Sequence, residues 1–499
     1  MIDKIISNII NQIDPISQYI YIVGGFPRDH ILNNPFNDLD IILPISKDDS
    51  FFNKKNKKRI KKETGTILKK INIDNKQFNL EISPLKENNI EEDLKSRDLS
   101  INSIAYKVSI KDRKWEILDP TGGIKDLHFK ILRCYEEKNL IADPIRMLRI
   151  FRFQAVFGFD IDSNTFLLIR NRKAGINDAP SEMIYEELMK LFSGNYITKA
   201  LRNMALSGLL RDIIPEMQSL ITFLHQDSYH HHESVFEHSL LVLDNCVCQK
   251  LSSAYKVAAL FHDIAKPITF DGKHYINHEK KGALLTKIIL KRLRFSNRFI
   301  NTVSSIVNYH MIPMNSQKKL FELRYNLGKD AFKNQIQFIK ADKCAVNFFW
   351  SQTRTYQTFS KLVKKVLQYD NEGFFEKLVT LANGTVLKKF GLKPGIAFQH
   401  ILQYLRNYFF KNPEKLTRNQ VRLLLEQNLY FTTHYNCFKH GDFKTKRLRE
   451  YLRDHVIYGL LEDSKKHHLK SGLFTFYYFS EGEFKNWEKE NQEFCTLFY

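Results

Sequence analysis

A short β-rich run that ends in two glycines, followed by two closely spaced aspartates, constrains the fold of this chain more than any other feature. Tyr19–Val23 is rich in β-branched and aromatic residues and ends at Gly24-Gly25. A second run, Asp40–Leu43, follows, and Phe78–Ile82 alternates like a third strand. The pattern predicts an α/β region over residues 19–135.

The glycine pair predicts a phosphate site. Two glycines after a strand let backbone N–H groups approach an anion closely, and a following helix directs its N-terminus at that anion. Arg28, four residues after Gly24, can add a charge-assisted hydrogen bond.

The two aspartates predict a cation site. Asp38 and Asp40 are two residues apart in a strand-like run, so their side chains point to the same face. Two adjacent carboxylates repel each other unless cations lie between them, which is how a site for two magnesium ions is built. We expect one Mg²⁺ to activate an attacking hydroxyl and the other to hold a triphosphate.

From about residue 140 the pattern becomes helical. Apolar residues recur near the 3.6-residue period, and strand signals are scarce until the end of the chain. The recurring positions are Ile145, Leu148, Phe151, Phe153 and Val156. Lys411–Arg418, with Pro413, is predicted to be a linker to a basic tail with aromatic clusters such as Phe474–Phe479.

A second constellation combines histidine and aspartate. His262-Asp263 follows an apolar run, and further histidines and an aspartate lie on either side of it on predicted helices. These residues are His238, His278, His310 and Asp342. Neutral imidazoles and carboxylates bind divalent ions, and a bridged metal pair can hydrolyse phosphoesters. His230-His231-His232 is predicted to be a solvated loop cluster.

Charge and composition narrow the functional classes. Lys plus Arg is 76 and Asp plus Glu is 55, so the net charge is +21, which favours a nucleic-acid partner. The basic run Lys54–Lys70 is either a solvated helix face or a phosphate-contacting segment. Six cysteines do not form a disulfide scaffold, and the N-terminus resembles neither a signal peptide nor a membrane span. We therefore expect a cytoplasmic protein without membrane contact.

At these motifs the chain resembles the class II tRNA nucleotidyltransferases, which include CCA-adding enzymes and bacterial poly(A) polymerases of the DNA polymerase beta superfamily. Tyr21–Asp29 with Asp38-Leu39-Asp40 resembles the family signature, and four later motifs follow in family order. These are Arg97–Asn102, Asp119–Gly123 with Asp126, Asp143–Arg149 running into Arg152, and Ser181-Glu182 with Glu187.

The resemblance implies a role for each matched residue. Asp38 and Asp40 would bind catalytic Mg²⁺, and Asp143 with Arg146 would read the Watson–Crick edge of incoming CTP or ATP. Nucleotide contacts are implied for Gly24, Gly25, Arg28, Arg97, Asp98, Asn102, Arg149 and Arg152. Alternatively, Arg146 and Arg149 form a phosphate or carboxylate clamp. The implied activity is addition of nucleotides to the 3′ end of tRNA without a nucleic-acid template.

The second constellation resembles the HD phosphohydrolase family, which implies a divalent metal (Mn, Ni, Fe or Mg) at His238, His262, Asp263, His278, His310 and Asp342. The predicted fold is α+β, with a polymerase-beta-like head followed by an all-helical neck, HD domain and tail. The predicted segments are the head (1–135), the neck (136–200), the HD domain (201–360), an RNA-binding tail (361–410) and a basic extension of unassigned role (411–499). Gly391–Gly395, followed by Leu402, resembles the tail of such two-domain enzymes.

Three departures from the family pattern bear on specificity. Ala142 precedes Asp143 where the family usually has Glu, and Met183 replaces a usual Arg. Only eight residues, Ser83–Ile90, connect the third strand to Glu91, where CCA-adding members usually carry a longer flexible loop. The short connection resembles that of CC-adding members, which implies a separate A-adding enzyme acting on the same tRNA.

Four other functions stay open from the sequence. The chain could be a full CCA-adding enzyme or a poly(A) polymerase. It could also be a nucleotide phosphohydrolase with a nucleotide-binding head, or a non-catalytic RNA-binding protein. The last of these would not need two acidic sites.

Overall fold

The computed structural model describes the chain in two compact units. The first comprises Met1–His310 and Gln337–Phe348, and the second Met311–Ile336 and Phe349–Tyr499. The described residues are 2–12, 17–45, 60–61, 66–73, 76–85, 89–224, 234–347, 349–389, 396–425, 468–470 and 475–477.

A seven-stranded mixed sheet begins the first unit. The strands are β1 (Tyr19–Val23), β2 (Asp38–Leu43), β3 (Ile60–Lys61), β4 (Thr66–Ile73), β5 (Lys76–Pro84), β6 (Ala105–Ser109) and β7 (Trp115–Leu118). Their order is β3-β4-β5-β2-β1-β6-β7. β2 and β5 are parallel, with Asp40 opposite Glu81, and the other neighbouring strands are antiparallel. The three predicted strands are thus present, two of them longer than expected.

Helices cover both faces of the sheet. Helix α1 (Ile2–Gln12) packs on one face, with Leu39 and Ile41 in its cluster. Helix α3 (Ile90–Lys95) packs on the other, where Ile42 and Leu94 belong to one cluster. Alternation along β2 therefore directs Asp38 and Asp40 to the face that carries α3.

The basic run Lys54–Lys70 is not a helix where the structure describes it. Residues 60–61 and 66–70 belong to β3 and β4, so the helix-face interpretation is wrong for them. Residues 67–70 of this run pair with β5, and that pairing overrides the charge pattern. Residues 54–59 and 62–65 lie outside the described part of the chain.

The neck predicted to be all-helical (136–200) contains one short strand, Asp160–Ile161, because it pairs with Ile131–Leu132. Helices form most of the rest of the first unit, as predicted. They are α2 (Gly25–Ile31), α4 (Gly123–Phe129), α5 (Glu137–Ala142), α6 (Ile145–Phe157), α7 (Ser163–Arg172), α8 (Ser181–Phe192), α9 (Ile197–Ser207), α10 (Leu209–Ile213), α11 (Met217–Thr222), α12 (Val235–Cys248), α13 (Ser253–Phe261), α14 (Lys266–Thr269), α15 (His278–Arg292) and α16 (Asn297–Asn308). Short strands β8 (Ile131–Leu132) and β9 (Asp160–Ile161) pair with each other, and 3₁₀ turns cover Ser100–Asn102 and Lys173–Asp178. One apolar cluster runs from Leu99 to Ala341.

The motif around Asp119 has a structural role. Its carboxylate accepts hydrogen bonds from the backbone N–H groups of Gly123 (2.7 Å) and Ile124 (3.0 Å) and so caps α4. A Cβ at Gly123 would lie 2.1 Å from the carbonyl oxygen of Ser100, so only glycine fits there. The motif holds α4 against the 3₁₀ turn that contains Asn102.

The second unit is mainly helical. Its elements include α17 (Gln317–Leu327), the first part of α18 (Lys329–Val346), α19 (Arg354–Asn371), α20 (Phe374–Leu381), α21 (Gly384–Lys389), α22 (Ile396–Lys411) and the two-stranded pair β10 (His468–Lys470) with β11 (Thr475–Tyr477). A 3₁₀ turn covers Trp350–Gln352. Arg324 forms a buried ion pair with Asp370 and stacks on Phe375.

The prediction of a linker at Lys411–Arg418 is wrong. A 3₁₀ turn (Pro413–Lys415) lies there, Pro413 and Leu416 are buried, and residues 418–425 are helical. The apolar side chains of Val421 and Leu425 are buried, so this segment packs against the rest of the unit. The proline alone does not indicate this packing. Within the described residues, no helix combines the length and apolarity needed to cross a membrane.

Candidate active site and metal cluster

The turn between β1 and α2 brings Gly24 against Asp40. Gly24 has φ = +77°, and a Cβ on it would lie 2.3 Å from Oδ2 of Asp40. Both the backbone conformation and the close approach require glycine. The turn therefore lies directly beside the aspartate strand.

Three carboxylates lie together at the β2–β5 pair. Asp38 and Asp40 share a face of β2, and Glu81 is the cross-strand partner of Asp40. Burial, and then the negative charges of Glu81 and Asp38, raise the pKa of Asp40 to about 6, although Arg97 opposes the shift. Asn79 donates a hydrogen bond to Asp38 Oδ1 at 2.8 Å. The three neighbouring carboxylates repel one another, and a divalent cation bound beside them would relieve that repulsion.

Arg28 is held by neighbours on both sides of its guanidinium group. It donates two hydrogen bonds to Asp29, at 3.0 and 2.7 Å, and one to Oδ1 of Asn102 at 2.6 Å. Its Cζ lies 5.3 and 5.1 Å from the ring centroids of Phe153 and Phe157. A fixed, partly buried guanidinium is preorganised to bind phosphate.

Asp98 links the 3₁₀ turn to helix α6. It accepts hydrogen bonds from the Leu99 N–H (2.9 Å) and Asn102 Nδ2 (2.9 Å), and forms an ion pair with Arg149 at 2.9 Å. Burial alone would raise the pKa of Asp98, but Arg149 and Asn102 hold it below its usual range. The carboxylate therefore stays ionised and fixes Arg149.

The base-recognition motif begins helix α6. Arg146 Nη1 donates hydrogen bonds to the carbonyl oxygens of Ser96 (2.6 Å) and Asn139 (3.2 Å), and its Nε lies 3.5 Å from Asp143 Oδ2. Asp143 ends α5 in an extended conformation. An acceptor and a donor thus lie side by side.

Arg152 is paired with helix α8. Its Nε lies 3.1 Å from Glu187 Oε2, and Lys190 reaches the other oxygen of Glu187 at 3.4 Å. Met183, at the position where the family usually has Arg, is 42% exposed.

All ten residues predicted to contact the nucleotide, together with Asp40, line one open cleft of about 520 Å³. Asp38 lies beside it on the same strand. The lining carries six cationic and three acidic side chains. The cations are Arg28, Arg97, Arg146, Arg149, Arg152 and Lys190, and the acids are Asp40, Asp98 and Asp143. A positive cleft with an acidic edge suits an anionic ligand bound with a cation.

The second predicted constellation forms one buried cluster. His238 Nε2 lies 3.1 Å from Asp342 Oδ1, and His262 Nε2 lies 3.1 Å from Asp263 Oδ2. On the other side, His278 and His310 place their Nε2 atoms 3.4 and 3.6 Å from Asp263 Oδ1. Asp263 therefore lies between two histidine pairs.

The donor atoms of this cluster fit divalent cations. His262, His278 and His310 each direct Nδ1 at a backbone carbonyl three residues earlier, at 2.9, 2.9 and 2.7 Å. That pairing leaves Nε2 for the cluster centre. The buried Oδ1 of Asp263 makes no hydrogen bond with the described residues. Each half of the cluster brings its ligand atoms within 4.8 Å of one another.

Two lysines also contact the cluster. Lys266 Nζ lies 2.8 Å from Asp263 Oδ2, and Lys343 Nζ lies 2.8 Å from Asp342 Oδ2. Burial alone would raise the pKa of both aspartates, but His262 with Lys266, and Lys343 with His238, hold them well below their usual range.

Burial lowers the pKa of His238 to about 4, despite the opposing effect of Asp342. Burial also lowers the pKa of His278. His262 behaves differently, because Asp263 and Asp342 overcome its burial and raise its pKa to about 10.

Three domain families match the chain between residues 20 and 346. The poly A polymerase head domain matches residues 20–133, the "Probable RNA and SrmB- binding site of polymerase A" matches residues 158–221, and the HD domain matches residues 235–346. These matches confirm the predicted resemblance to the tRNA nucleotidyltransferase and poly(A) polymerase family. The α+β fold and HD domain of the chain are those expected from the sequence resemblance.

Relatives that match part of this chain have names related to CCA addition. A multifunctional CCA protein of Nitrosospira multiformis is 28% identical over 309 residues, which cover 58% of this chain and 72% of the relative. An A-adding tRNA nucleotidyltransferase of Deinococcus radiodurans is 26% identical over 330 residues, covering 64% and 74%.

The fold resembles that of the CCA-adding enzyme of Bacillus stearothermophilus in complex with CTP. The TM-score is 0.58 at 20% identity, over 87% of this chain and 98% of that chain. The Thermotoga maritima CCA-adding enzyme complexed with tRNA gives a TM-score of 0.51 at 17% identity, over 85% and 94%.

Sequence reasoning missed several residues of the site. Alternation of Phe78, Leu80 and Ile82 predicts that Glu81 faces the other side of β5, but nothing in the sequence places that side next to Asp40. Asn139 carries no local signal, because its partners lie more than forty residues away. His230-His231-His232 and Gly391–Gly395 lie outside the described residues.

Proposed function

We propose that the chain adds nucleotides to the 3′ end of tRNA without a nucleic-acid template, using CTP and, in the full CCA-adding alternative, ATP. The observation that carries the proposal is the convergence of all ten predicted nucleotide contacts and Asp40 on one positive cleft. A fold shared with CCA-adding enzymes supports it. A protein that only binds RNA would not need the carboxylates beside that cleft.

The acidic edge of the cleft is proposed to hold Mg²⁺ through Asp38 and Asp40, with Glu81 beside them. Bound there, the cation would neutralise the α-phosphate and favour ionisation of the RNA 3′-hydroxyl. Gly24, Gly25 and Arg28 would hold the triphosphate, because the turn offers backbone N–H groups next to a fixed guanidinium.

The remaining contacts are proposed to select the nucleotide. Asn102 and Arg97 would contact the ribose or phosphates, while Asp98 keeps Arg149 in the cleft. Arg146 and Asp143 would read the base, since an acceptor beside a donor matches the amino and ring-nitrogen groups of C or A. The same pair presents the wrong pattern to U or G.

We infer that the chain adds cytidines and stops at CC, or adds the last A very poorly. β5 ends at Pro84 and α3 begins at Ile90, so five residues, 85–89, join them. Asn89 caps α3 by accepting from the N–H of Glu92 at 2.9 Å, which fixes one end of the connection. A connection this short has little reach to move the base-reading side chains.

With CTP and ATP supplied together, tRNA ending at the discriminator base should therefore end in CC. Reading A requires Arg146 and Asp143 to shift, and without the shift polar groups in the cleft stay unpaired, which is costly. Sequencing of the product ends measures the outcome, with CTP alone as the matched control. Efficient CCA termini from the purified chain would refute the CC-only specificity and leave the family intact.

The full CCA-adding alternative is favoured by one observation, the names of the relatives, which include CCA proteins and an A-adding enzyme. A-addition by this chain would also make a separate A-adding partner unnecessary. Poly(A) polymerase activity would instead give long A tails from ATP alone. Nucleotide hydrolysis without extension would identify the third alternative, a phosphohydrolase with a nucleotide-binding head.

The HD cluster is proposed to be a metal-dependent phosphohydrolase centre that uses Mn, Ni, Fe or Mg. Its ligands would be His238, His262, Asp263, His278, His310 and Asp342. Imidazole nitrogens and carboxylates are suitable donors for these ions. A bound cation would lower the pKa of a bound water and so provide hydroxide for attack on a phosphoester.

The five predicted segments, and the cytoplasmic location, stay predictions.

Binding to tRNA should weaken steeply with salt. A chain with net charge +21 that covers a folded RNA releases condensed counterions, and six phosphate contacts would cost about 10³-fold in affinity between about 50 and 200 mM salt. Filter binding across salt concentrations measures the slope. If the basic run contributes, Lys70→Ser should lower the slope, whereas Lys111→Ser on the β6–β7 turn should not. Salt-independent binding would contradict the electrostatic argument.

A further inference from the structure

The C-terminal end of α3 is capped by residues from a distant part of the chain. Asn139 Nδ2 donates hydrogen bonds to the carbonyl oxygens of Lys95 (2.8 Å) and Arg97 (2.9 Å), and Arg146 takes the carbonyl of Ser96 between them. A helix leaves its last carbonyls without partners. Here three consecutive carbonyls are bound from outside the helix.

Asn139 also contacts Arg146 through its backbone. Its carbonyl oxygen accepts a hydrogen bond from Arg146 Nη1 at 3.2 Å, and its side chain is buried, with 3% of the residue exposed. Asn139 therefore binds the carbonyls of Lys95 and Arg97, the residues on either side of Ser96, and so holds the Ser96 carbonyl in place. Its own carbonyl is a second acceptor for Arg146. Both acceptors are neutral carbonyls, so neither of these two contacts offsets the positive charge that Arg146 presents to the cleft.

No carboxylate precedes Asp143 to perform this task. The preceding residue is Ala142, which is exposed, and the nearest carboxylate oxygen to Arg146 Nε belongs to Asp143 at 3.5 Å. That distance is longer than a hydrogen bond. The direction of the guanidinium is therefore determined mainly by the Ser96 and Asn139 carbonyls.

We propose that Asn139 is a positioning residue for nucleotide selectivity: it holds the end of α3 so that Arg146 presents one fixed donor pattern to the base. The proposal rests on the proposed nucleotidyltransferase function. Cytosine offers acceptors at N3 and O2, whereas uracil carries a hydrogen on N3. A fixed Arg146 can donate hydrogen bonds to the acceptors of cytosine. With uracil, its donor faces the hydrogen on N3 and stays unpaired. A mobile Arg146 tolerates both.

The expected effect of Asn139→Ala is a loss of discrimination rather than a loss of rate. The ratio of kcat/KM for CTP to that for UTP should fall about tenfold, which is the range of one base-edge contact. The maximal rate with saturating CTP should change by less than about threefold, because no group at the acidic edge is touched. Asn139→Leu keeps the side-chain volume, lacks the donor and should give the same result if the alanine variant folds poorly.

Gln154→Ala provides the matched control. Gln154 is another buried amide, on the same helix as Arg146, but it donates to the Phe159 carbonyl at 3.1 Å and accepts from Asn203 at 3.0 Å. Its removal should lower the midpoint of thermal unfolding and leave the CTP-to-UTP ratio unchanged. An equal shift in the ratio for both variants, or no shift for folded Asn139 variants, would overturn the proposal.

A binding measurement separates this proposal from the proposed function. Calorimetric titration of the tRNA-free protein with CTP and with UTP gives an affinity ratio that does not depend on extension. The Asn139 variants should reduce that ratio about tenfold as well. If the wild-type chain extends no tRNA, the proposed function fails. The role of Asn139 is then tested by binding alone, and it is overturned if the Asn139 variants leave the affinity ratio unchanged.

Discussion

Replacement of Asp40 by Asn should reduce nucleotide addition by about 10²–10³-fold or more and leave the fold intact. The variant loses one negative charge from the group of three carboxylates at the β2–β5 pair, and with it the attraction for a cation beside the triphosphate. Extension of tRNA with labelled CTP measures the loss, and circular dichroism checks the fold. The isosteric amide keeps the packing against Gly24.

Asp112→Asn is the control for this prediction, since Asp112 is an exposed aspartate on the β6–β7 turn of the same sheet. The pH profile adds a second check. In the cation-free protein, burial and the neighbouring carboxylates raise the pKa of Asp40 to about 6, so a proton competes with the cation as the pH falls through that value, and the wild-type rate should fall. Substantial extension by folded Asp40→Asn would show that other acids serve the reaction.

Replacement of Asp263 by Asn should remove divalent metal and phosphoester hydrolysis from the HD cluster while extension stays within about twofold. Asp263 contacts both histidine pairs, so its loss affects both halves of the site. An amide is a much weaker ligand than a carboxylate and cannot pair with Lys266 as an ion. Metal content by mass spectrometry and hydrolysis of a nitrophenyl phosphodiester measure the effect.

Asp271→Asn is the matched control in the same domain. Asp271 is an exposed aspartate that accepts hydrogen bonds from the N–H groups of Lys273 and His274, outside the metal cluster. It should change neither metal content nor hydrolysis. Full metal content in Asp263→Asn, or loss of extension in that variant when it is well folded, would contradict the assignment of separate sites.

The sequence predicted those parts of the site whose residues are close together along the chain. Gly24-Gly25 and Asp38-Leu39-Asp40 could be interpreted because period-2 alternation in a strand fixes the direction of side chains two residues apart. The parallel pairing that brings Glu81 opposite Asp40 spans 41 residues. Neither periodicity nor propensity encodes which strands become neighbours, so this third carboxylate appeared only in the fold.

Errors in the prediction arose where tertiary packing overrode local signals. Lysines in β4 suggested a solvated helix face, but Ile67 and Ile71 are buried in the sheet. Pro413 suggested a linker, yet it begins a packed 3₁₀ turn. By contrast, the HD histidines were found from the sequence, because His262-Asp263 follows an apolar run and the outlying histidines resemble a family motif.

The two lysines beside the HD aspartates bear on whether a metal is part of the scaffold. Lys266 neutralises Asp263 and Lys343 neutralises Asp342, each at 2.8 Å. The lysines thus offset the negative charge of the two buried aspartates. The helices therefore need no cation to overcome repulsion between these carboxylates. Val257, Leu260 and Ile306 belong to the apolar cluster that joins those helices. Metal exchange at this centre should therefore be reversible, with ions leaving and returning while the domain stays folded.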